Sequence, residues 1–139
     1  MRRSRQLLAL FLIGLSTTVA GVQQRKDTAI TSGWVKLPAA GATQAEAYLT
    51  IDNPTQYDVF LQKASSDAAG AVEFRAAGKP EPLTFATVTA YESLEMSAQS
   101  SYLLLRDLKK PLTTGATVPI TVFTDRGTPL TIDAVVKSE

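Results

Sequence analysis

The sequence predicts an all-β protein, a single antiparallel Greek-key β-sandwich. Apolar residues alternate with polar ones at period two in one segment after another. Turn-forming residues punctuate these segments at near-regular spacing, and no stretch carries the three-to-four spacing of an amphipathic helix. The 139 residues suit one domain, large enough to bury a core without crosslinks.

The chain opens on a different pattern. Arg2, Arg3 and Arg5 precede the apolar run Leu7 to Leu15, and small or polar residues follow as far as Ala20. That order is the n-, h- and c-region sequence of a secretory signal, so residues 1–20 are expected to be cleaved. Ala20 and Thr18 fit the −1 and −3 positions, with cleavage after Gly21 a close rival. Even extended through Val19 the apolar run reaches thirteen residues, against about 20 for a membrane span. The expected location is therefore periplasmic or secreted, with no transmembrane segment after cleavage. Residues 21–29 are mostly polar and aperiodic and read as a flexible leader, leaving 30–139 as the folded domain.

Within that domain each strand has its own signal. Ile30 to Leu37 is closed by Pro38 and a small-residue loop. Glu46 to Asp52 sets Ala47, Leu49 and Ile51 on one face and Tyr48, Thr50 and Asp52 on the other, and Asn53-Pro54-Thr55 turns the chain. Asp58 to Ala64 and Ala71 to Ala76 flank a loop from Ser65 to Gly70. The two prolines of Gly78 to Pro82 mark a connection, followed by shorter candidates at Leu83 to Val88 and Ser93 to Met96. Ser101 to Leu108 and Ala116 to Thr124 are the strongest strands. Asp125-Arg126-Gly127 signals a tight hairpin back into Thr128 to Lys137. Pro119 predicts an edge position or a bulge.

Composition excludes much chemistry. The chain has no Cys and no His, and Met96 is the sole internal methionine. Disulfides, thiolate or imidazole metal sites, and catalysis by a cysteine or a serine–histidine pair are absent from its repertoire. Fourteen basic and thirteen acidic residues give +1, and loss of Arg2, Arg3 and Arg5 leaves eleven against thirteen, about −2. No basic surplus exists for gripping nucleic acid.

The remaining candidates for chemistry read more simply as structure. Lys63 with Ser65-Ser66 lies in a polar turn, and Glu73, Glu92 and Glu95 do not form a convincing carboxylate pair. Asp52-Asn53, Asp58 and Asp125 suit Asx-turns better than a calcium loop. Tyr102, Leu104 and Arg106 share one strand face, and Arg75 with Arg106 is a possible anion site. No catalytic residue and no cofactor are expected, so the chain is not expected to be an enzyme.

Three stretches taken together carry a family resemblance: AEAYLTIDN (45–53), SSDAAGAVEFR (65–75) and SYLLLRDLKKPLTTGATVPITV (101–122). They resemble the periplasmic copper chaperone family PCuAC, from about Gly33 to Val136. The resemblance implies a cupredoxin-like, immunoglobulin-like sandwich and a Cu(I) site of two His and two Met, ligands suited to a soft ion. Its ligand positions fall here on Arg75, near Pro80, and on Tyr102 and Leu104. None of these is a soft ligand for Cu(I), and a guanidinium repels a cation. Met96 aligns with a core strand position and does not restore the site. The expectation is a PCuAC-like scaffold with its metal site replaced, an accessory or interaction protein with a periplasmic protein partner. Two alternatives stand beside it. One is a copper-delivery accessory that docks without holding the ion; the other is a small-ligand or anion module centred on Arg75, Tyr102 and Arg106.

Overall fold

A computed structural model describes residues 27–138. The expected signal segment and most of the expected leader lie outside the described residues. Nine strands form: β1 (Ala29–Lys36), β2 (Ala45–Asp52), β3 (Val59–Ser65), β4 (Ala69–Ala76), β5 (Ala86–Val88), β6 (Ser93–Glu95), β7 (Ser101–Leu108), β8 (Thr117–Thr124) and β9 (Pro129–Lys137). Among the described residues there is no helix, and hence none long and apolar enough to cross a membrane.

The strands pair in the order β1-β9-β8-β3-β4-β7-β2, and β2 pairs again with β1 to close the ring. β6 extends the free edge of β2, and β5 pairs with β3. Closure leaves few free edges, the general liability of sheets. The expectation of an antiparallel sandwich holds for all these pairings except one. β1 and β9 run parallel, Trp34 to Lys36 beside Val135 to Lys137. Period-two patterning does not distinguish the two directions, so that pairing was not legible in sequence.

Alternation sends one face of each strand inward. Ala47, Leu49 and Ile51 of β2, Leu103 and Leu105 of β7, Ile120 and Val122 of β8 and Ala134 and Val136 of β9 are buried. Met96 is buried with them, as its alignment with an apolar position required. Gly33 of β1 faces Leu49 in the register, and a β-carbon there would stand 2.6 Å from a Leu49 methyl. Glycine leaves the space that the Leu49 side chain occupies.

Local signals explain the turns. Gly127 adopts φ 77° in the β8–β9 hairpin, as the Asp125-Arg126-Gly127 motif predicts. Asn53 forms the expected Asx-turn, its side-chain oxygen accepting from the Thr55 amide at 3.1 Å. It is also fully buried, and its amide group donates to the Tyr57 and Val88 carbonyls at 2.8 and 3.0 Å. One side chain thus ties the end of β2 to the start of β3 and the end of β5. Pro119 pairs with Asp133 of β9, while β3 reaches only Thr121 to Thr124 of β8. The proline therefore sits where β8 has no neighbour on its second side, the edge environment its missing N–H requires. The Leu83 to Val88 segment is a strand only from Ala86 to Val88, with Leu83 held separately by a bridge to Phe74. β4 begins at Ala69, two residues before its expected start, which shortens the preceding loop.

Candidate functional site

The outer face of β4, β7, β2 and β1 gathers the residues that sequence reading singled out. Antiparallel register partners point to the same side of a sheet. Arg75 pairs with Tyr102, and Glu73 with Leu104, across β4 and β7. Glu46 pairs with Leu104 across β2 and β7, and Trp34 with Tyr48 across β1 and β2. Two side-chain rows result. The first runs Arg75, Tyr102, Tyr48, Trp34; the second runs Glu73, Leu104, Glu46.

Aromatic packing holds the first row. The rings of Trp34 and Tyr48 lie 4.9 Å apart at a tilt of 48°, and those of Tyr48 and Tyr102 lie 6.4 Å apart edge to face. Both separations fall in the favourable range for ring pairs. Tyr48 is buried between its neighbours although it faces outward, and its hydroxyl donates to the Glu46 carboxylate.

An ion-pair network holds the second row to the first. Glu73 accepts from Arg106 at 2.8 Å through one carboxylate oxygen and from Arg75 at 3.3 Å through the other. Arg75 also donates to the Pro80 carbonyl oxygen at 2.9 Å. Arg75 and Glu73 side chains are about one-fifth exposed, and Arg106 nearly half. The Arg106 hydrogen bond is the main reason the Glu73 carboxyl lies below the ordinary glutamate value of 4.5. Partial burial opposes that shift, and Arg75 reinforces it. Arg106 is raised in return, chiefly by its bond to Glu73. The Arg75 Nε is buried without a hydrogen-bond partner.

All four positions implicated by resemblance therefore meet on one surface. Arg75 and Tyr102 are cross-strand neighbours, Pro80 is bonded to Arg75, and Leu104 lies across from Glu73. Arg75 and Arg106 share a face, as their positions on adjacent strands allow. Glu73, considered in the sequence only as part of a carboxylate pair, stands between them. Its two-residue spacing from Arg75 was the available signal; its contact with Arg106 depends on the β4–β7 register, which pattern alone does not supply.

The other candidates are engaged in the scaffold. Asp58 accepts from the Ala90 amide at 2.9 Å, and Asp125 from the Phe60 amide at 3.1 Å. Asp52 accepts from the Ser93 hydroxyl at 2.8 Å, and the Ser66 hydroxyl accepts from the Ala68 amide at 3.2 Å. Among the described residues no group of three or more Asp, Glu, His or Cys side chains is placed to hold a metal ion.

Comparison with known proteins agrees with this fold. The family model described as "Putative lipoprotein LpqE-like" matches residues 28–136. The copper-bound PCuAC domain from PmoF2 is similar at 21% identity and a TM-score of 0.70, over 81% of this chain and 92% of that one. The apo PCuAC domain from PmoF1 gives 19% identity and a TM-score of 0.74, over 81% and 95%. The solution structure of Cu(I)-DR1885 from Deinococcus radiodurans gives 24% identity and a TM-score of 0.69, over 86% and 84%. No curated protein matches by sequence. At these identities the structural likeness establishes a shared cupredoxin-like fold.

Proposed function

The chain belongs to the LpqE-like family, and from that premise we propose an exported, non-enzymatic accessory domain on a PCuAC scaffold. In this reading the Cu(I) ligand set has given way to a guanidinium-centred network. The observation that carries it is the placement of Arg75. Its side chain bonds both Glu73 and the backbone of Pro80, drawing together two of the positions where ligands are expected. A fixed +1 charge held among hydrogen-bond acceptors would do part of what a bound Cu(I) does, joining the strand to the 78–82 connection without an ion. Arg75 cannot lose its proton at any ordinary pH and repels an entering cation.

The domain then acts by its surface, through a protein partner in the periplasm or outside the cell. The copper-delivery alternative keeps the same docking role without the ion. The anion alternative, centred on Arg75, Tyr102 and Arg106, has the unpartnered Arg75 Nε in its favour. Against it, Glu73 already occupies both guanidinium groups, so an anion would have to displace a carboxylate. The family description names a lipoprotein, but this sequence contains no cysteine to carry a thioether-linked lipid. Export is supported by the expected signal at residues 1–20 and by the lipoprotein that the family description names.

Reinstating the ligand types tests the replacement. The quadruple variant Arg75→His, Pro80→Met, Tyr102→His, Leu104→Met should bind one Cu(I) where the native chain binds none. Equal binding by both would remove the proposal.

A further inference from the structure

The end of the barrel where β1 and β9 begin is built differently from the rest of the molecule. The two strands are in register only from Trp34 to Lys36 with Val135 to Lys137, and their first residues share no register pair. A cleft of about 280 Å³ opens at this end, between the residues that precede β1, the β2–β3 connection and the β8–β9 hairpin, with Val59 and Leu130, both buried, among the residues that line it. Barrel mouths are recurrent places for small-ligand sites. The volume equals roughly nine waters, enough for a small organic molecule.

Hydrogen-bond bookkeeping gives the lining a polarity. A threonine hydroxyl has one proton and two lone pairs. Thr28 and Thr55 donate theirs to the Asn53 side-chain oxygen at 3.2 and 2.6 Å, and Thr124 donates to the Thr128 carbonyl at 3.3 Å. With those protons committed to the scaffold, the three hydroxyls have only acceptor lone pairs left to offer the cleft. Asp27 adds a carboxylate to the same lining.

The charged donor on the lining is Arg126. Its guanidinium carbon sits 5.0 Å from the centroid of the Tyr57 ring, a cation–π contact that fixes the group without using its N–H bonds. Arg75 and Arg106 are both paired with Glu73, whereas Arg126 has no ion-pair partner among the described residues. A held guanidinium with free N–H groups matches a carboxylate. The molecule complementary to this mouth is thus anionic where it meets Arg126 and rich in donors where it meets Asp27 and the threonines.

We propose that the cleft between the residues preceding β1 and the β8–β9 hairpin binds a small zwitterion of amino-acid type, its carboxylate on Arg126 and its ammonium toward Asp27 and the oxygens of Thr28, Thr55 and Thr124. The site is independent of the Arg75 network, and neither stands or falls with the other.

Titration of the isotopically labelled full chain with L-serine, followed by amide and arginine side-chain resonances, tests it. Saturable shifts at Thr28, Thr55, Thr128 and Arg126 are expected, with Leu103 and Leu105 unmoved. Acetate, which lacks the ammonium, should bind about tenfold more weakly or worse. Arg126→Gln should abolish the serine response, and Asp27→Asn should weaken serine but not acetate. Both residues are exposed, and unchanged Leu103 and Leu105 resonances report that each variant folds. Absence of saturable shifts, or a response that survives Arg126→Gln, overturns the site. Equal affinity for acetate and serine, or indifference to Asp27→Asn, overturns the zwitterion.

Discussion

Arg75 donates a 2.9 Å hydrogen bond to the carbonyl oxygen of Pro80, five residues along the chain. The same guanidinium reaches Glu73 on its own strand, which in turn holds Arg106 of β7. A single side chain therefore couples the sheet to the proline-containing connection that follows β4.

Removing that side chain should loosen the connection. Arg75→Ala is expected to cost about 1–2 kcal/mol, the range of a charge-assisted bond discounted for partial exposure. Arg75→Lys should recover less than half, because an ammonium lacks the fork that serves Glu73 and Pro80 together. Urea unfolding measures the loss. Limited proteolysis should show faster cleavage within residues 78–82 of the alanine variant.

The network also predicts a pH dependence. Arg106, then Arg75, holds the Glu73 carboxyl below its ordinary value of 4.5. The folded state thus binds this proton less readily than the unfolded chain. Its contribution to stability is complete above the ordinary value and is lost as pH falls through the depressed one. Unfolding curves collected from pH 6 to pH 3 should show a steeper acid decline in the native chain than in Glu73→Gln. Parallel curves would contradict the coupling.

Asn53 should be among the most sensitive positions. It is fully buried and joins five groups: the carbonyls of Tyr57 and Val88, the hydroxyls of Thr28 and Thr55, and the Thr55 amide. Asn53→Leu strands these partners and is expected to cost about 2–4 kcal/mol. Asn53→Asp keeps the acceptor but sets a carboxylate oxygen against two carbonyls, so it should be no better. Thermal unfolding of both variants checks the expectation; wild-type stability for either would refute the role.

Gly33→Ala tests the packing of Leu49 over Gly33. The added methyl would stand 2.6 Å from Leu49 Cδ2 and 3.2 Å from Ile132 Cδ1. Leu49 is buried, so its side chain must repack to make room, and a cost of about 1–3 kcal/mol is expected. Leu49→Ala in the Gly33→Ala background should cost less than Leu49→Ala alone, a coupling that a double-mutant cycle reads directly.

Much of the fold was legible because strand existence depends on local alternation. Ser101 to Leu108 matches β7 at both ends, and most other strands differ by one residue or two. The closed ring and the parallel β1–β9 pairing were not legible, since both are choices of partner between segments distant in sequence. Asn53 was readable as a turn residue but not as a buried hub, because burial depends on what β5 and the segment before β1 bring to it. For the site, shared faces were predictable from spacing, including Tyr102, Leu104 and Arg106. The position of Glu73 between two arginines depended on register. The expected leader boundary also moves: Ala29 already belongs to β1, and Thr28 is bonded to Asn53.

In the proposed reading the Arg75 network stands where a Cu(I) ligand set is expected. Competition between the purified chain and a chromophoric Cu(I) chelator tests it most directly. An equimolar amount of the chain is expected to leave the chelator complex intact. Withdrawal of one equivalent of Cu(I) into a tight protein complex would contradict it.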